Sequence, residues 1–104
     1  MSSIWIDLYL KYGHPERVEK AIEELNELIV ELKKVRYLEI SEISEIQMLA
    51  IVDEMADVSN MVISLSTIYG KLSALELRKE AKKQKAIQAC HGKIFNKAHK
   101  KQGS

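Results

Sequence analysis

Residues 15–36 read PERVEKAIEELNELIVELKKVR, and this stretch decides the fold. Val18, Ile22, Leu25, Ile29 and Leu32 recur at alternating steps of four and three, the spacing of one face of an α-helix. Ala21, Leu28 and Val35 widen the same stripe. Pro15 suits the first position of such a helix, where its missing N–H has no partner to lose. A helix over 15–36 follows.

The flanking segments extend the same pattern. Upstream, Ile4, Trp5, Leu8, Tyr9 and Tyr12 predict a short amphipathic helix over 4–12, ended by Gly13, and His14 then reads as a helix-start residue. Downstream, residues 37–44 mix Ile, Leu, Ser and Glu and read as a connection or irregular turn. Ser44 with Gln47 has the spacing of a capping box and starts a third helix, which continues to about Tyr69 and stops at Gly70. Ser73 with Glu76 repeats that spacing and opens a fourth helix, to about Cys90 or His91. The expectation is an all-α, four-helix bundle-type unit: one helical domain over 1–91, then a basic C-terminal tail over 92–104.

Composition bounds this reading. At 104 residues and 46% hydrophobic, the chain can build one core, although a domain of this size often gains from a partner chain. One proline and four glycines are too few for a turn-rich β-sandwich. The single cysteine, Cys90, excludes an internal disulfide and fits a reducing, cytoplasmic setting; packing suggests a small core residue. Met1 to Ile6 lacks the basic start of a signal peptide, and no apolar run is long enough to span a membrane.

The net charge of +1 conceals an asymmetry. Residues 1–70 hold 6 Lys/Arg against 13 Asp/Glu, a net −7. Residues 71–104 hold 10 against 2, a net +8. An acidic body is followed by a basic third, which points towards a cation on one side and an anion on the other.

The acids form two pairs. Glu24 and Glu27 lie three apart on the second helix, as do Glu54 and Asp57 on the third, so each pair shares a face. At ~100° per residue from Glu24, the apolar stripe centres near ~90°, with Glu27 near ~300°, Glu31 near ~340° and Glu23 near ~260°. Glu24 therefore borders the core and Glu23 points away. On the third helix, Leu65, Met61, Ala50 and Ile51 lie within about 60° of Glu54, which puts Glu54 inside an apolar sector, Asp57 at its border and Asp53 outside. A carboxylate in such a sector costs several kcal/mol unless a cation or donors meet it. Lys20 shares the stripe of Glu24 and Glu27 but cannot balance four acids alone. A hard divalent cation such as Mg²⁺, with Mn²⁺ as a substitute, suits this oxygen set. Antiparallel packing of consecutive helices would bring both pairs to one point. Read alone, Glu24 with Glu27 is an ordinary solvated pattern; the apolar setting of Glu54 makes it more.

These motifs resemble the MazG-like, all-α nucleoside triphosphate pyrophosphohydrolases. Their signature, Glu-Glu-x-x-Glu followed after a gap by Glu-x-x-Asp, reads here as Glu23-Glu24-Leu25-Asn26-Glu27, then 26 residues, then Glu54-Met55-Ala56-Asp57. The surrounding Lys20-Ala21-Ile22, Leu28 and Ala56-Asp57-Val58 are similar too, and the likeness to small phage-type members covers about 11–90. It implies a four-helix unit that forms a homodimer or homotetramer, with Glu24, Glu27, Glu54 and Asp57 holding Mg²⁺. It implies cleavage of a (d)NTP between the α and β phosphates to a nucleoside monophosphate and pyrophosphate, for nucleotide-pool control or sanitation.

Other residues fit that chemistry. Glu27 or Glu31 could accept the proton of an attacking water. Lys20, Lys79 and Lys82 are candidate phosphate contacts, although a solvated face is the plainer reading of any one lysine in the run 78–85. The family often carries a Lys with a nearby Arg or Asn there, and this dense run departs from it. Trp5, Tyr9 and Asn60 are candidate nucleobase contacts, although helix packing is the plainer reading of the two aromatics, at i and i+4, and solvent exposure an equal reading of Asn60. His91 and His99 near Cys90 lack the ligand set of a zinc site. Two other functions compete: a non-enzymatic helical interaction module, and, against the repulsion of the −7 body, a nucleic-acid binder using the basic third.

Overall fold

The computed structural model describes residues 3–102, with side chains up to residue 92. The described residues are all-helical, without a strand. Four α-helices follow in order: α1 (Ile4–Tyr12), α2 (His14–Val35), α3 (Glu45–Ile68) and α4 (Leu72–Gln102), with one 3₁₀ turn, Ile40–Glu42, between α2 and α3. No helix among the described residues is long and apolar enough to cross a membrane. The chain divides into two compact units, Met1–Gly70 and Lys71–Ser104. That division falls where the charge changes sign.

In the first unit, α2 packs along α3, and α1 packs on both. Local signals set the helix ends. Ser3 caps α1, its Oγ accepting from the Trp5 N–H at 3.2 Å. Gly13 separates α1 from α2 with φ +85, a conformation that side chains with a Cβ rarely adopt. The Ser44–Gln47 capping box is closed in both directions: the Gln47 N–H donates to Ser44 Oγ at 3.1 Å, and the Ser44 N–H donates to Gln47 Oε1 at 3.1 Å. At the opposite end of the pair, His14 Nε2 lies 2.8 Å from the Tyr69 hydroxyl. The helices are thus antiparallel, joined by the 36–44 connection at one end and by the His14–Tyr69 contact at the other.

The packing face of α2 differs from the apolar stripe. Arg17, Ala21 and Glu24 are the buried residues of α2, whereas Ile22, Leu25, Ile29 and Leu32 stay exposed. The contact line lies near ~20° on the wheel set by Glu24, about 70° from the stripe centre. The small Ala21 lets α3 approach there. Ile51 is the matching buried aliphatic of α3.

The second unit is one helix. It starts at Leu72, so Ser73 lies inside it rather than at its cap. Gly70, at φ +66, ends α3 and turns the chain fast enough for helix to resume before Ser73. The helix passes through Gly92 to Gln102, beyond the sequence-based end at Cys90 or His91. Cys90 is exposed in this helix and not the small core residue that its type suggested. The side chains of Lys93, Lys97, Lys100, Lys101 and His99 lie outside the described residues.

Candidate metal centre

The antiparallel register of α2 and α3 brings the two acid pairs together. One carboxylate oxygen from each of Glu24, Glu27, Glu54 and Asp57 lies within 4.8 Å of the others. The four differ in setting. Glu24 is 7% exposed, Glu54 half-buried, and Glu27 and Asp57 open to solvent. The cluster therefore has a buried floor and a wet rim. Glu23 and Asp53 point outward, as the helical steps predict.

The floor is short of partners. Lys20 Nζ pairs with Glu24 Oε1 at 3.0 Å and with Glu23 at 3.6 Å, and these carboxylates, Glu24 first, raise the lysine pKa. Glu24 Oε2 and Glu54 Oε2 are buried and accept no hydrogen bond. A buried carboxylate oxygen without a donor is expensive, and here two residues of one cluster each carry one. The charge of Glu24, with desolvation and Glu54 adding to it, holds the Glu27 pKa above the ordinary glutamate value. An all-oxygen set open on one side suits Mg²⁺ or Mn²⁺, which keep waters or take phosphate oxygens.

Other predicted residues fall around or away from this centre. Glu31 lies one turn beyond Glu27, partly shielded and paired with Lys34 at 2.9 Å. Asn60 is exposed on α3, one turn past Asp57. Trp5 and Tyr9 are half-buried on α1. Lys79 and Lys82 belong to the second unit; both are exposed there, with Lys79 close to Glu76 at 3.4 Å. So the structure gathers the four proposed ligands and Lys20, and it describes the two α4 lysines only within their own helix.

Sequence reasoning passed over Arg17. It is 7% exposed, donates to both oxygens of Glu16 at 2.6 and 2.8 Å, and stands over the Tyr12 ring at 5.4 Å. That pairing raises the Arg17 pKa and lowers that of Glu16. Its signal was available: Arg17 precedes Glu24 by seven residues and so shares its face. No known family profile, characterised protein or solved structure matches the chain.

Proposed function

We propose that the chain is a Mg²⁺-dependent nucleoside triphosphate pyrophosphohydrolase, converting a (d)NTP to a (d)NMP and pyrophosphate. One observation carries the reading: two buried carboxylate oxygens, Glu24 Oε2 and Glu54 Oε2, lack any donor inside a four-carboxylate cluster. The Glu-Glu-x-x-Glu and Glu-x-x-Asp spacing of the MazG-like enzymes falls on the same residues and names the substrate class.

Glu24, Glu27, Glu54 and Asp57 would hold the metal, which supplies charge neutralisation for the triphosphate and a more acidic bound water. The buried floor, Glu24 and Glu54, fixes the position of the cation through its packing. The exposed rim, Glu27 and Asp57, leaves room for substrate. Glu31 lies outside the four and accepts the proton of the attacking water, steadied by Lys34. Lys20 holds Glu24 in place and offers its half-exposed ammonium to a phosphate oxygen. Lys79 and Lys82 are further candidates for the phosphates, and Trp5, Tyr9 and Asn60 for the base. The four-helix bundle of the family requires more helices than the three of the first unit.

The test is a (d)NTP panel with Mg²⁺ or Mn²⁺, read as pyrophosphate released. Activity should fall at least ~100-fold in Glu54→Gln and Asp57→Asn, the scale of losing one electrostatic contact to a reacting centre, with helicity retained. No pyrophosphate from any substrate, with no effect of metal on melting, would leave the chain as a helical interaction module. The exposed apolar side of α2 is the observation that favours this second reading.

A further inference from the structure

The basic third of the chain is divided by α4 into two unlike halves. At ~100° per residue from Leu72, Lys85 falls near ~220°, Arg78 near ~240°, Lys82 near ~280°, Lys79 near ~340° and Lys83 near ~20°. Glu76, Glu80, Gln84 and Gln88 fall between about 40° and 160°, on the opposite half. The helix runs on to Gln102, so positions 93, 97, 100 and 101, all lysine in the sequence, follow the same steps and fall on the basic half. A helix ending at Cys90 or His91 would leave those charges as a loose tail. The unbroken helix sets them in line with the run 78–85.

This basic half works against its own helix. Arg78 with Lys82, Lys79 with Lys82, Lys79 with Lys83 and Lys82 with Lys85 are like charges three or four residues apart, and each such pair weakens the helix. Among the described residues, Lys79 alone of these five has an ion-pair partner, Glu76 at 3.4 Å, while Glu80 accepts from Gln84 Nε2 at 3.0 Å. A polyanion relieves that repulsion, and its condensed counterions are released as the lysines neutralise it. The charge of −7 on the first unit opposes approach through that unit, so the attraction falls to α4.

Three features choose among polyanions. The half opposite the basic one carries Glu76, Glu80, Gln84 and Gln88, not the apolar side chains with which a helix lies in a membrane surface. Residues 71–92 hold no Phe, Tyr or Trp on which single-stranded bases would stack. The basic arc is wide, about 160°, with Arg78 and Lys85 along one margin, Lys79 and Lys83 along the other, and the small Ala86 and Ala89 between them. The major groove of B-form DNA, about 12 Å wide, admits an α-helix and sets a phosphate wall on each side of it. Charge on both margins meets both walls, and small residues between them allow close approach. The major groove of an RNA duplex is too narrow for this. Lysine meets phosphate as a point charge and carries no base code there. We propose that α4 binds duplex DNA through its phosphates, seated in the major groove, without reading base sequence. This binding needs neither the metal nor the reaction proposed above.

The experiment uses the full chain with a chelator present, so that its outcome is separate from that of the metal reading. Fluorescence anisotropy follows a labelled DNA duplex from roughly 50 to 200 mM salt. The logarithm of the binding constant should fall with that of salt at a slope of about −4.5 or steeper, five phosphates at about 0.9 each, which weakens binding at least ~500-fold over the range. Lys83→Gln with Lys85→Gln should make the slope shallower by about two and weaken binding about tenfold or more. Adding Gln84→Lys and Gln88→Lys to that pair returns the net charge on the wrong half and should restore neither. Recovery of wild-type binding would mean that net charge alone acts, and overturns the proposal. If the fourfold variant loses helicity, lysine acetylation of the wild type decides: DNA should protect Lys82, Lys83 and Lys85 while the exposed Lys11 and Lys33 react as before. Lys82, Lys83 and Lys85 already unreactive in the free chain, where another part of the chain covers them, overturn it. So do a slope shallower than about −3, equal affinity for an RNA duplex, or binding to phosphatidylserine vesicles in place of DNA.

Discussion

Glu27 stands in solvent, yet Glu24, first among its neighbours, lifts its pKa above the usual 4.5. An acid whose pKa is raised by folding favours the folded state while protonated. Its contribution is therefore whole below about pH 4.5 and is lost as pH rises through the raised value. In metal-free protein, Glu27→Gln should raise the melting temperature at neutral pH, with the gain shrinking to nothing on acidification below 4.5; parallel melts of both proteins across that range check it. Ser64 makes a second residue-scale case. It is 2% exposed and its hydroxyl has no partner, so Ser64→Ala should be neutral or stabilising, by about 0–1 kcal/mol in denaturant unfolding. The helical steps alone revealed the inward Glu54 and the outward Glu23, because rotation per residue is fixed by the backbone. Arg17 shares the face of Glu24 by the same steps, but that face lies on the flank of the apolar stripe, so its burial shows only once α3 docks there.

Elements were legible where local chemistry ends them. The Ser44–Gln47 box needs nothing beyond its own four residues, so sequence and structure agree on the start of α3. Ser44→Ala should cost about 1 kcal/mol, measured as a shift in the denaturant midpoint with unchanged slope. Ser73 carries the same spacing and does not cap, because the chain is already helical at Leu72. The passage of α4 through Gly92 was illegible for a related reason. A glycine inside a helix costs only about 1 kcal/mol, which the turns on either side can absorb, so it punctuates weakly.

For the whole molecule, the sequence announced the right amount of apolar surface but not its arrangement. A stripe on a helix says which side avoids water, not which neighbour covers it, and in the first unit α3 docks on the flank that carries Glu24. That flank brings the carboxylates together, so saturating Mg²⁺ or Mn²⁺ should stabilise the fold. At a hundred times the dissociation constant the gain is about 2.7 kcal/mol, roughly 10 °C or more in melting temperature for a domain of this size. Scanning calorimetry with and without a chelator checks this, with Asp57→Asn as the insensitive control. The unbroken run of α3 over its 24 residues also governs which changes in chain length the protein survives. One residue inserted between Gln47 and Asp53 would turn the start of the helix by about 100° relative to Glu54 and uncouple its cap from its acids. The same insertion at Tyr37 or Leu38 falls in the connection, where added length costs little. Tags, linkers and fused partners belong at that tip, and a library of single-residue insertions should show α3 as a closed reading frame beside an open one.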